Sequence, residues 1–261
     1  PDFLDRFNYL KLNGATCDET FGSKRYLNQI LYNSPEWKDV RRKVILRDSG
    51  CDLAFKGRDI FSKILVHHLN PITIEDIINQ YNYRRRLSRE VTDIWAQEGI
   101  KTYGLKGWAL STYYPKPELR ECGDFDCYLG ADFAKGNEIA IANGAQFDPH
   151  DYRHSHIYYK GLTIENHQYF LPIRGNARNK RLEQYLQAVI PSEKRIENSN
   201  VYYPSPQFHA LFIILHMLQH FLHENITLRH MLDWTYFVNA EKENIDWREF
   251  NVKCEEAGAT R

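Results

Sequence analysis

Apolar and polar residues recur along this chain with two periods, and the changes of period mark out its elements. From 81 to 99, Leu87, Val91, Ile94 and Trp95 fall on one helical stripe, while Arg84, Arg85, Arg86, Arg89 and Glu90 take the solvated faces. Gly99 supplies the stop. Residues 100–104 then read as a first strand, and Trp108 opens a short helix that ends before Pro115. Asp124 to Leu129 reads as a buried strand. A helix over 131–145 follows, with Phe133, Ile139 and Ile141 or Ala142 inward and Gly144 closing it. Two strands over 154–159 and 162–167 meet at Lys160-Gly161, a two-residue hairpin turn. Residues 172–203 are polar and irregular apart from a helix over 180–189. Pro204 and Pro206 then introduce an apolar helix over 208–223 and a second over 227–239. Upstream, Val40, Val44 and Ile45 have helical spacing behind a Ser34 cap with Pro35 in the first turn, and 64–71 reads as a short strand entering a loop.

On a strand, residues two apart point the same way, so Asp124 and Asp126 converge on one small volume. Two such carboxylates repel unless a cation lies between them. Mg²⁺ is the natural occupant, a hard ion held by one or two carboxylates plus substrate phosphates. Upstream, a helix entered through Gly107 offers unpaired N–H groups to a phosphate, and Lys106 adds a point charge. Thr163, Glu165 and His167 share one face of their strand, opposite Ile164. If that strand pairs beside Asp124, Glu165 becomes a third carboxylate at the site; otherwise it is an ordinary surface glutamate. Arg120 either clamps a phosphate or bridges to Glu118 or Glu121 in its loop. His154 and His156 share a strand face and either flank the site or serve the surface. His216 and His220, four apart, have a spacing that suits zinc, but Met217 breaks any metalloprotease signature and packed histidines are favoured. Arg229 and Asp233 are placed to pair across a helical turn.

Leu105-Lys106-Gly107, Tyr114-Pro115, Arg120 and Gly123-Asp124-Phe125-Asp126 together resemble a large, mostly uncharacterised bacterial family of the polymerase-beta-like nucleotidyltransferase superfamily, over about 84–261. The resemblance implies an acidic residue on a neighbouring strand with His two residues on, which Glu165 and His167 match. It implies transfer of an NMP from an NTP to an acceptor hydroxyl, with Asp124, Asp126 and Glu165 as catalytic ligands to two Mg²⁺ ions and Lys106, Gly107 and Arg120 on the nucleotide. Residues 1–80 are similar to part of a phage-type HNH endonuclease, through Thr20-Phe-Gly22, Arg25 to Gln29, Arg47-Asp48, Cys51-Asp-Leu53 and Val66-His-His-Leu-Asn-Pro71. His67 would there ligate a metal and His68 act as general base on water, with DNA as partner. The Asn-to-His helix that completes such a site is missing, so nuclease activity is not expected, and the junction suggests a truncated or recombined chain.

Length allows a sizeable core and more than one domain. Lys plus Arg and Asp plus Glu are 34 each, which argues against a nucleic-acid coat or a membrane-seeking surface. The five cysteines form no Cys-x-x-Cys pair, so free thiols in a reducing compartment are expected. No basic-then-apolar leader opens the sequence, and the most apolar run, 211–222, is interrupted by His216, Gln219 and His220. The expectation is a cytoplasmic α+β protein: a partial HNH-like α/β segment (1–80), a small mixed sheet as transferase core (81–171) and a helical region (172–261). Its acceptor is RNA, protein or a small molecule. The alternative is a non-catalytic NTP-binding module.

Overall fold

The computed structural model describes residue 32 and residues 34–47, 74–149, 151–223 and 227–259. The chain divides into two compact units, 1–77 and 78–261. In the first, Ser34 Oγ accepts the Trp37 N–H at 3.0 Å and opens helix α1 (Pro35–Arg47). Val40, expected inward, is exposed. The HNH-like readings on 1–31 and 48–73, His67 and His68 included, lie outside the described residues.

The second unit holds most of helix α2 (Ile74–Gln97) and the remaining elements in order: β1 (Thr102–Gly104), α3 (Trp108–Ser111), β2 (Asp124–Tyr128), α4 (Phe133–Ala142), β3 (Gln146–Asp148), β4 (His154–Tyr159), β5 (Leu162–His167), α5 (Ala177–Val189), β6 (Val201–Tyr202), α6 (Pro206–His223), α7 (Leu228–Glu241) and α8 (Trp247–Ala257). The helix α2 begins before the apolar stripe does, with Glu75 and Asp76 in a first turn whose positive end favours them.

The six strands form one mixed sheet in the order β3-β4-β5-β2-β1-β6. β2 runs parallel to β5 and antiparallel to β1, so an α+β fold with a small mixed sheet is what the chain adopts. Lys160 and Gly161 both have positive φ, 49° and 86°, the backbone of a two-residue turn that matches the strand twist. Alternation divides the sheet's side chains between two cores. On one face Phe125, Cys127, Ile157 and Ile164 pack with Leu87, Val91 and Trp95 of α2. On the other, Tyr103 and Tyr128 pack with Leu186, Phe208, Leu211, Phe212, Phe237 and Phe250 of the C-terminal helices. Asp124 and Asp126 share the face of Tyr128 and so look toward those helices.

Two expectations are corrected here. On α4 Ile139 packs against the core as expected, but the buried positions are Gly136, Asn137 and Ala140, and Ile141 is exposed. Asn137 Oδ1 receives hydrogen bonds from Ser155 (3.0 Å) and Asn166 (2.8 Å), and Trp95 Nε1 donates to the Gly136 carbonyl. A satisfied polar group is thus buried on a face that the binary pattern assigned to apolar side chains alone. The 172–203 stretch is also more ordered than its polarity suggests, since Val201 and Tyr202 form β6 parallel to β1. Cys122, Cys127 and Cys254 are buried free thiols.

The α6 helix is tied to the end of β1 by fully buried His209, whose Nε2 donates to the Leu105 carbonyl at 2.8 Å. Burial pushes its pKa down to about 4. The unfolded chain binds this proton near pH 6.5 and the folded chain only near pH 4, so the native state loses stability as pH falls between them, by about 3 kcal/mol in total. Thermal midpoints measured from pH 7.5 to 4 are therefore expected to fall less steeply in His209→Gln, which keeps an N–H donor without a titrating ring.

Candidate active site

The sheet's first strand delivers the chain to Leu105, whose N–H donates to the Asp126 carbonyl at 2.9 Å. Lys106 follows, then Gly107 at φ 66°, a left-handed turn that sends the chain into α3. A Cβ on Gly107 would lie 2.5 Å from the Asp124 carbonyl oxygen, closer than backbone permits. Both the conformation and the contact therefore require glycine. Gly107→Ala is expected to destabilise the fold by about 1–3 kcal/mol and to push the loop off β2, read as a lowered urea midpoint.

Strand pairing brings the acids together. Asp126 and Glu165 are register partners on the parallel strands β2 and β5, with Asp124 opposite Thr163. Asp126 Oδ1 accepts from Lys106 Nζ at 2.8 Å and lies 3.2 Å from His167 Nε2. Its Oδ2 is buried with no hydrogen-bond partner. His167 Nε2 also lies 3.6 Å from Glu165 Oε2, and His156 Nε2 is 3.5 Å from Glu165 Oε1, so both histidines flank the carboxylates. The His154 ring lies tilted by 32° against that of His167, with centroids 5.2 Å apart.

The electrostatics follow from this crowding. The Asp126 charge, then burial, raise Asp124 to about 6. Burial opposes ionisation of Asp126 itself, but Lys106 and His167 more than offset it and hold that carboxyl far below its usual range. Burial likewise opposes the charge on Lys106 and on His167, and the facing acids win in both cases. One readily ionised carboxylate, held by a lysine and a histidine, thus coexists with a neighbour that resists ionising.

Tyr114 and Arg120 meet a residue that sequence reading had given another partner. Asp233 of α7 accepts from Arg120 Nε (2.7 Å) and Nη2 (2.8 Å) and from the Tyr114 hydroxyl (2.5 Å). Arg120 Nη1 donates to the Gly107 carbonyl at 3.0 Å. The guanidinium therefore has its fork on Asp233 and its remaining edge on backbone, and neither Glu118 nor Glu121 is its acidic partner. Arg229, expected on Asp233, donates to the Glu121 carbonyl at 3.4 Å instead. The reason is burial: Asp233 and Arg120 are 6 and 7 % exposed, and a bidentate partner compensates a buried carboxylate better than a surface one.

These groups line a cavity of about 330 Å³ between the sheet and the C-terminal helices. Lys106, Gly107, Asp124, Asp126, Glu165 and His167 form one wall, and Phe212, His216, His220, Arg229 and His230 the other. His216 Nε2 is 3.0 Å from Lys106 Nζ. Sequence reading missed Asp233 as the partner of Arg120, and it missed His209 and His230; their partners lie far away in sequence or in a capping bond, and neither has a local signal. Among the described residues no helix is long and apolar enough to cross a membrane.

The fold is similar to that of a solved structure. The solution structure of the antibiotic-resistance factor ANT(2″)-Ia matches with a TM-score of 0.50 at 8% identity, over 68% of this chain and 92% of that one. A crystal structure of ANT(2″)-Ia in complex with adenylyl-2″-tobramycin matches with a TM-score of 0.48 at 9% identity, over 69% of this chain and 99% of that one. No protein of curated function matches the sequence. The family described as uncharacterised nucleotidyltransferases matches residues 65–261, a span that holds the paired acids, the Lys-Gly loop and the helical wall facing them, and the chain belongs to that family.

Proposed function

We propose that the protein is an Mg²⁺-dependent nucleotidyltransferase that moves an NMP from an NTP to an acceptor hydroxyl, with Asp124, Asp126 and Glu165 as the catalytic carboxylates. The observation that carries this reading is the register of β2 on β5, which faces Asp126 with Glu165 two residues' reach from Asp124. The donor set suits a hard dication: carboxylate oxygens from three acids, one of them the buried, unpartnered Asp126 Oδ2. Two bound Mg²⁺ ions would supply activation of the acceptor hydroxyl and neutralisation of the leaving pyrophosphate.

The chain's own residues do the rest. Lys106 has its ammonium on Asp126 and is positioned to take a triphosphate oxygen in exchange. Gly107 lets the backbone approach without a side chain in the way. Since α3 is only four residues long its dipole is small, and the seat rests on the lysine charge and the loop N–H groups. Arg120 acts on the nucleotide indirectly, by fixing the Gly107 carbonyl and the loop before Asp124. His167 orients Asp126 and Glu165 through its Nε2. The region from 172 to 261 walls the cavity and selects the acceptor.

The test is to incubate the protein with Mg²⁺ and each α-labelled NTP, with total RNA, with a protein extract and with a small-molecule extract as separate acceptor pools. Label transfer by the parent and none by the Asp124→Ala, Asp126→Ala double variant is the expected result, and the pool that takes the label gives the acceptor class. Tight Mg²⁺-dependent NTP binding with no transfer to any pool would replace this reading with a nucleotide-sensing module.

A further inference from the structure

The cavity wall opposite the carboxylates carries a second set of ligand-type side chains. His216 and His220 lie one turn apart on α6, and His230 of α7 stands against them, with one candidate ligand nitrogen from each within 4.8 Å of the others. The His216 and His220 Nε2 atoms are 3.2 Å apart. Imidazole nitrogens at about 2.05 Å from a tetrahedral zinc ion lie about 3.3 Å from one another, so this pair already has the spacing of two ligands on one ion. We propose that His216, His220 and His230 form a site for a single transition-metal dication of the Zn²⁺ class, separate from the carboxylates and opening on the same cavity.

The chemistry of the donors supports this assignment. Burial, together with the charge on Lys106, keeps the proton off His216, and burial with His220 beside it acts the same way on His230. Neutral imidazoles offer lone pairs at neutral pH, and three nitrogens suit zinc, not magnesium. All three histidines line the cavity, so a fourth coordination position faces the space where substrates enter.

Two existing bonds say what changes on binding. Thr227 N–H donates to His230 Nδ1 at 3.2 Å as part of the α7 cap, which leaves Nε2 as the atom to ligate. Ligation through Nε2 requires the ring proton on Nδ1, and Thr227 Oγ1, 3.3 Å away, is placed to accept it. The cap bond is then exchanged for the outer hydrogen bond that orients a ligating histidine. Lys106 Nζ occupies the lone pair of His216 Nε2 at 3.0 Å, so an ion on that nitrogen leaves the ammonium to Asp126 alone. A hydrogen bond between the His216 and His220 Nε2 atoms, together with ring packing at centroid distances of 4.4 and 4.6 Å for His216–His220 and His220–His230, is the competing explanation.

Titration of the metal-free full chain with Co²⁺ separates the two. The expected result is one equivalent bound with the visible ligand-field bands of four-coordinate cobalt, displaced by one equivalent of Zn²⁺ and unaffected by millimolar Mg²⁺. The bands persist in Asp124→Ala, Asp126→Ala and vanish in His220→Ala and His230→Gln, with folding checked by circular dichroism. If His230→Gln loses its cap and unfolds, the half-buried His220 decides alone. Absence of the bands in the parent, their survival in folded His220→Ala, or their loss in the aspartate variant would each overturn the assignment, the last by moving the ion to the carboxylates.

Discussion

Asp126→Asn is expected to lower NMP transfer by about a thousandfold or more while leaving the protein folded. Asparagine keeps the volume and one acceptor oxygen but removes the charge that Lys106 and His167 share. In the parent that charge sits on a fully buried carboxylate with one oxygen engaged and the other bare. Its removal takes away the carboxylate oxygen that Lys106 and His167 both contact, so the lysine and the histidine lose their common anchor. The loss should appear in the turnover rate more than in nucleotide affinity, because Lys106 becomes freer to meet a phosphate. Measuring label transfer at saturating NTP, beside equilibrium NTP binding, separates the two. A variant that retains more than roughly a tenth of parental transfer would place the chemistry elsewhere.

The second large effect belongs to stability. Arg120→Ala and Asp233→Ala are each expected to lower the unfolding free energy by about 3–5 kcal/mol, since either leaves an uncompensated buried charge. Asp233 accepts both tines of the guanidinium and the Tyr114 hydroxyl as well, so Tyr114→Phe should cost about 1–2 kcal/mol through the same acid. Urea midpoints with unchanged slope give the measurement. Arg120→Lys separates charge from geometry: a lysine keeps the sign but cannot fork, and should recover under half of the loss. A midpoint for Arg120→Ala within about 0.5 kcal/mol of the parent would mean that the guanidinium is solvated, and would return it to the nucleotide.

How much of this was legible follows from the range of each signal. The β2 acids and the hairpin rest on local periodicity and a two-residue turn, so the sequence carries them, whereas the parallel pairing of β2 with β5 that brings in Glu165 is left open by periodicity and is implied only by the family resemblance. The Arg120–Asp233 pair spans a separation of 113 residues, and nothing near either residue marks the other. Arg229, four residues from Asp233, offered a plausible local partner that burial overruled. The inward face of α4 was hidden because Gly136 and Asn137 read as polar or neutral, although Asn137 is buried by the hydrogen bonds it makes. β6 consists of two residues in a polar stretch, too short to show a period at all. His230, the third histidine of the α6–α7 group, carries no signal in the sequence that ties it to His216 and His220.

The Lys160-Gly161 turn has a consequence for how this protein tolerates change. Surface turns are where chains usually accept insertions, yet this turn sets the register of β4 on β5. A single residue added between Tyr159 and Leu162 is accommodated most cheaply by sliding one strand past its neighbour. A slide of one position turns every side chain of that strand to the opposite face. If β5 moves, Ile164 takes the place of Glu165 across from Asp126 and the glutamate enters the apolar layer under α2. An insertion in an exposed loop that touches no acid would thus dismantle the acid cluster, and length at that turn is as restrictive as identity at the aspartates.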